Sequence, residues 1–153
     1  MKIDYLKNHK NMIPILAKWN YSEWGHKTKL DLQDIEKKYE QTALTKQIPS
    51  TFVALINRTI VGMASLLAHD CKAEPTLTPW LAALYVDKDY RKQGIGKALV
   101  QKALSEAKKL NISILYLQTE EKNLNFYQEL GWKMYKKTIW QKEEIIIMSF
   151  TIF

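Results

Sequence analysis

Apolar residues recur along this chain with two periods, and the switches between them outline its elements. Near-continuous apolar runs at 51–56, 59–67, 80–86 and 114–119 have the length and β-branched or aromatic content of buried strands. Shorter runs at 2–6, 132–138 and 144–150 read the same way. Between them the period lengthens. Met12, Ile15, Leu16 and Trp19 share one face of a helix that ends at Gly25, with Asn11 as N-cap and Pro14 tolerated in the first turn. Leu32, Ile35 and Tyr39 mark a second helix beginning after Asp31. Ile95, Leu99, Ala103 and Ala107 line a third that stops near Asn111, and 124–130 is a short fourth helix closed by Gly131. Asn57-Arg58 between two runs is a compact hairpin signal, and Pro75 and Pro79 fence off a loop.

The order is strand, two helices, three strands, helix, strand, helix, two strands. It predicts an α/β (α+β) domain with a mixed central sheet flanked by helices. At 153 residues the chain is expected to form one domain over 1–153 with a substantial core.

The most specific stretch is 86–99, where a strand turns through Arg91-Lys92-Gln93-Gly94-Ile95-Gly96 into the third helix. Such a turn points backbone N–H groups outward at the positive end of a helix and binds anions, phosphates above all. Gly94 and Gly96 let a ligand approach the main chain without meeting a Cβ, and Arg91, Lys92 and Lys97 add positive charge. The pattern is not a Walker loop, because Lys97 is followed by Ala98. Nor is it a dinucleotide fingerprint, because Leu99 stands where a third glycine belongs. What remains is a cradle for a pyrophosphate.

Arg-x-x-Gly-x-Gly after a strand resembles the acetyl-CoA motif of the GNAT superfamily of N-acetyltransferases, whose pattern is Arg/Gln-x-x-Gly-x-Gly/Ala. A second block strengthens the likeness. Leu115-Tyr116-Leu117-Gln118-Thr119 followed by Asn125-Phe126-Tyr127-Gln128-Glu129-Leu130-Gly131-Trp132 looks like the family's second motif, about 30 residues downstream, the span of one strand–helix–strand unit. Residues 19–25 and 77–86 are also similar to one bacterial branch of that family whose substrates are mostly unassigned. The resemblance covers essentially the whole chain.

It implies a GNAT-type fold with a mixed, mostly antiparallel central sheet, acetyl-CoA as cofactor, and transfer to a primary amine of a small molecule or peptide. Residues 91–97 (Arg91, Lys92, Gln93, Gly94, Ile95, Gly96, Lys97) would hold the pyrophosphate, and the main chain of Leu84, Tyr85 and Val86 the acyl arm. The Val86 N–H would polarise the acetyl carbonyl. Tyr127, with an ordinary pKa of ~10, would protonate the departing thiolate. Many members carry an Asn before the Phe-Tyr pair. The connection from the preceding strand is short here, and Asn123 and Asn125 both qualify.

The general base is left open among Glu23, His26, His69, Asp70 and a water chain. Trp19, Tyr21, Glu23 and Trp24 fall in the region that family members use for the acceptor, and aromatic walls with a carboxylate suit a cationic amine. No Ser or Cys constellation suggests a covalent intermediate, so transfer is expected within a ternary complex. A non-catalytic acyl-CoA-binding regulatory module is the alternative.

Charge and composition narrow the partners. Net charge is +7, yet 21 of the 23 basic residues are lysine, with Arg58 and Arg91 the only arginines. Base readout favours arginine, so nucleic acid is not expected as a partner. No apolar stretch is long enough for a membrane span, the charged N-terminus leaves no room for a signal-peptide core, and Cys71 is alone. Cytoplasmic residence is expected, with no metal site, and a homodimer is left open.

Overall fold

The computed structural model describes all residues, 1–153. Its strands form one sheet in the order β1-β2-β3-β4-β5-β7-β6. In chain order these are β1 (Lys2–Tyr5), β2 (Ser50–Ile56), β3 (Thr59–Leu67), β4 (Trp80–Val86), β5 (Ile114–Thr119), β6 (Lys133–Trp140) and β7 (Glu143–Thr151). The helices are α1 (Ile13–Trp24), α2 (Leu32–Thr42), α3 (Ile95–Lys109) and α4 (Leu124–Glu129). Every neighbouring pair is antiparallel except β4 and β5.

Strand periodicity divides the core between the two faces. On one face, Phe52 and Ala54 of β2, Leu115 and Leu117 of β5, and Ile146 and Met148 of β7 pack against the Ile95, Leu99, Val100, Ala103 and Ala107 stripe of α3. On the other, Val53, Leu55 and Met63 meet Leu16 and Ala17 of α1 and Ile35 and Tyr39 of α2. Farther along that second face, Cys71 from the loop 68–79 joins Trp80, Tyr116 and Ile147, so a loop rather than a helix covers β4, β5 and β7 there. Gly62 brings α3 close: a Cβ at that position would stand 3.0 Å from Leu99 Cδ1 and 3.1 Å from the Tyr85 carbonyl oxygen.

The expected helix starts are met unequally. Asp31 caps α2 as a capping box, accepting from the Asp34 N–H at 2.8 Å while the Asp34 carboxylate accepts from the Asp31 N–H at 3.1 Å. Asn11 does not cap α1. The chain enters α1 straight from a 3-10 turn over Leu6–Met12, with Met12 already in helical conformation. Asn57 (φ 48°) and Arg58 (φ 67°) form the two-residue turn expected between β2 and β3. Gln141 (φ 52°) and Lys142 (φ 66°) do the same between β6 and β7, which therefore run on past the expected ends at 138 and 144.

Candidate active site

The site begins where the sheet comes apart. β4 and β5 are joined at a single register pair, Trp80 with Tyr116, near the start of β4. Beyond it β4 is bulged. Ser65 pairs with Ala82 and Met63 with Tyr85, so Ala83 and Leu84 together oppose Ala64, and Ala83 adopts a positive φ of 52°. The bulge bends β4 away from β5, and the C-terminal ends of the two parallel strands enclose a gap.

Alternation along β4 decides which main-chain groups face this gap. The Asp87 N–H donates to the Val61 carbonyl at 2.8 Å, which makes that pair the hydrogen-bonded one. The adjacent pair, Val86 and Gly62, is then non-hydrogen-bonded, and the Val86 N–H and C=O both turn away from β3 toward the gap. The Val86 carbonyl accepts from Arg91 Nε at 2.9 Å, and the Arg91 guanidinium lies 5.3 Å from the centre of the Tyr85 ring. Tyr85 differs from its neighbours. Its carbonyl points at β3 beside Gly62, so Tyr85 offers the gap a ring rather than main-chain groups, and that ring packs on Trp19 at 5.2 Å.

At the end of β4 the chain makes a 3-10 turn over Lys88–Tyr90, held by the Asp87 carboxylate accepting from the Asp89 N–H. It then passes through two left-handed residues, Lys92 (φ 63°) and Gly94 (φ 81°), before α3. The first intrahelical bond runs from the Ala98 N–H to the Gly94 carbonyl at 3.1 Å. The N–H groups of Ile95, Gly96 and Lys97 therefore have no partner within the helix. Arg91, Lys92, Gln93 and Lys97 are exposed around them, while Ile95 is buried as the first rung of the α3 stripe. No side chain crowds Gly94, so its glycine is required by φ alone.

α4 supplies the opposite wall. A Cβ at Gly96 would meet the Phe126 ring at 3.4 Å and Val86 Cγ2 at 3.8 Å, so the two sequence blocks meet at the gap. Tyr127 packs edge-on against Phe126 at 5.0 Å and against Trp132 at 6.3 Å. Burial pushes its phenol up to about 12, with no charge or hydrogen bond contributing. Asn123 immediately precedes α4 and Asn125 lies in its first turn; both are exposed.

The four base candidates separate by position. Glu23 and His26, at the end of α1 and just after it, are exposed, as is His69. Asp70 is not free in this way: its carboxylate accepts from Gln118 Nε2 at 2.9 Å, and the same nitrogen donates to the Asp70 carbonyl at 3.0 Å. Gln118 is the link that sequence reasoning missed, since nothing in the sequence pairs residues 48 positions apart. Of the aromatic residues, Trp80 is core, with its indole N–H bonded to the Leu77 carbonyl, and Trp140 is 40% exposed. Cys71 is buried and its thiol is pushed up chiefly by burial, which disfavours a nucleophilic thiolate.

No helix is long and apolar enough to cross a membrane. The sequence profile of the acetyltransferase (GNAT) family matches residues 10–132. The N-alpha-acetyltransferase 30 of Schizosaccharomyces pombe is 34% identical over 111 residues, covering 70% of this chain and 73% of that protein. Human N-acetyltransferase 8 is 34% identical over 125 residues, or 77% of this chain and 52% of the relative, so the chain spans about half of that protein. Among solved structures, an aminoglycoside 6'-N-acetyltransferase complexed with coenzyme A superposes with a TM-score of 0.80 at 18% identity, over 100% of this chain and 98% of the other. The chain belongs to the acetyltransferase (GNAT) family and is an N-acetyltransferase.

Proposed function

We propose that the gap between β4 and β5 is where acetyl-CoA and a primary amine, on a peptide or a small molecule, meet in a ternary complex. One observation carries the reading. The Val86 N–H, the unpartnered N–H groups at the start of α3 and the Phe126 ring, with Tyr127 packed edge-on against it, border the same opening. The pyrophosphate sits against Ile95, Gly96 and Lys97, with Arg91, Lys92, Gln93 and Lys97 around it, and Gly94 sets the turn. Arg91 leaves the Val86 carbonyl or bridges it to the phosphate. Leu84 and Val86 line the acyl arm, and the Val86 N–H donates to the thioester oxygen as negative charge grows on it. Asn123 or Asn125 contacts the cofactor beside them.

Tyr127 stays protonated across the physiological range, because its phenol sits at about 12. It donates to the coenzyme sulfur as the carbon–sulfur bond breaks. So weak an acid gives up its proton only as thiolate charge develops, which sets its contribution at the low end of the range for general acids, ~10². Holding thioester and amine in line supplies a further part of the acceleration. The name of the yeast relative, an N-alpha-acetyltransferase, supports peptide α-amines among the acceptors. A single domain over 1–153 does all this, and the free thiol buried at Cys71 fits a reducing cytoplasm.

The test is acetyl-CoA binding followed by thiol release. Acetyl-CoA should raise the melting temperature, since a ligand specific for the native state stabilises it. Free coenzyme A should then appear in the presence of an amine from a panel of peptides and small amines. Binding without thiol release across that panel would mark a regulatory acyl-CoA module instead.

A further inference from the structure

Two acids in this protein are withdrawn from bulk water to different degrees, Glu106 buried and Asp70 half-buried, and they are treated differently. Glu106 on α3 is 3% exposed, with Lys102 Nζ at 3.0 Å and Lys109 Nζ at 3.6 Å, and its carboxyl is held below the usual range by those lysines and Tyr5 against the opposing effect of burial. Asp70 has an amide where Glu106 has two ammonium groups. Lys38, across on α2, acts on it from beyond ion-pair distance, and burial drives its carboxyl above the ordinary 3.8. A half-buried carboxylate without a paired cation carries part of the cost of desolvation, which a cationic ligand at the site would offset.

Its place in the fold says what that could be. Gln118 lies two residues past Tyr116, the last point at which β5 touches β4, and its side chain shares the Tyr116 face of the sheet. Asp70 therefore stands level with the gap, on the face carrying α1 and α2. Tyr127 and the start of α3 lie on the other face, packed with the α3 core. Acid and carboxylate thus flank the gap from opposite sides.

We propose that the Asp70 carboxylate, held by Gln118 where β4 and β5 part, receives the acceptor's ammonium group and takes the proton that frees its nitrogen to attack. The inference rests on the acetyl-transfer reading above. The ammonium gives one proton to Asp70. The neutral nitrogen bonds to the thioester carbon, the carbon–sulfur bond breaks, and its electron pair leaves with sulfur, which takes the Tyr127 proton. The new amide nitrogen sheds its second proton back to Tyr127 through water, and Asp70 returns its own to solvent, one net proton per turnover. The groups facing Asp70 are Gln118 from β5, Lys38 and Tyr39 from α2, and Cys71 beside it. Tyr39 donates to Met63 Sδ and accepts from Asn20, so it is already engaged.

Asp70→Asn is the discriminating variant, because an amide oxygen can still accept from Gln118 and keep the loop in place. Thiol release would be followed with an alanine tripeptide and with putrescine across pH. For Asp70→Asn, kcat/KM for the amine should fall ~10²-fold or more at neutral pH. The acidic limb of the profile should disappear, and the deficit should narrow as pH approaches the amine's own pKa. The melting-temperature rise with acetyl-CoA should be that of the wild type. A variant within threefold of wild type, with the same acidic limb, would overturn the proposal. So would loss of the acetyl-CoA response together with activity, which would make Asp70 a strut for the loop. Wild-type protein that binds acetyl-CoA but acetylates neither amine would instead count against the transfer reading, and Asp70's role would fall with it.

Discussion

The ring of Phe126 stands 3.4 Å from where a side chain on Gly96 would begin, so the start of α3 and the first turn of α4 share one wall of the gap between β4 and β5. At 39% exposure, Phe126 has apolar surface left for a ligand to cover. Phe126→Ala removes that surface without touching the donors at the start of α3. Losing partial burial of an aromatic ring is worth about 1–1.5 kcal/mol, so KM for acetyl-CoA should rise by ~5–10-fold. In initial-rate measurements kcat should stay within about threefold, since general apolar contact is made equally in ground and transition states.

Tyr127→Phe should behave in the opposite way. The ring and its contacts with Phe126 and Trp132 remain, and only the hydroxyl is lost. Turnover should drop by ~10² with KM for acetyl-CoA unchanged. Because the phenol sits at about 12, wild-type activity should show no basic limb from this group below pH ~11. An unchanged rate of thiol release in Tyr127→Phe would remove the acid role.

Much of this arrangement is legible in the sequence, for physical reasons that differ by element. β4 and β5 are apolar enough to be recognised as buried strands, and their ends fall where the apolar runs stop. The capping box at Asp31 and the turn at Asn57-Arg58 use local side-chain chemistry that a single sequence displays. The turn at Gln141-Lys142 has no glycine or asparagine to announce its positive φ, so β6 and β7 read short. Ala83 hides the bulge in the same way, and with it the gap, because an alanine inside an apolar run carries no sign of φ at 52°. The Asp70–Gln118 pair is a contact across the sheet, invisible to any local pattern.

Gly94 gives a backbone prediction. Its φ of 81° is costly for a residue with a Cβ, although nothing stands within 4 Å of where that Cβ would be. Gly94→Ala should therefore lower stability by about 1–2 kcal/mol through strain rather than collision. If the turn relaxes to relieve it, the N–H groups of Ile95, Gly96 and Lys97 lose their common aim. Isothermal titration with acetyl-CoA should then show affinity reduced ~10-fold, one helix-terminus interaction. Gly96→Ala, where φ is helical and the nearest contact is an ordinary 3.4 Å, should be much milder in both respects.

The buried Glu106 and the half-buried Asp70 predict opposite responses to pH. Glu106 has its folded pKa depressed by Lys102, Tyr5 and Lys109 despite burial, so it stabilises the protein above the unfolded value near 4.5, and this contribution disappears as pH falls through the folded value. Glu106→Gln should cost about 1–2 kcal/mol at pH 7, moderated by the exposure of Lys109, with the difference from wild type closing at acidic pH. Asp70 has its folded pKa raised by burial, only partly offset by Gln118 and Lys38. Ionising it therefore penalises the folded state. That penalty is absent below the ordinary 3.8 and grows until pH has passed the raised value. Asp70→Asn should melt higher than wild type at neutral pH and converge with it in acid, as measured by thermal denaturation across pH. A variant less stable than wild type at neutral pH would mean that the carboxylate holds the loop better than an amide does. A more stable but less active variant would show a charge kept at the gap at the expense of folding.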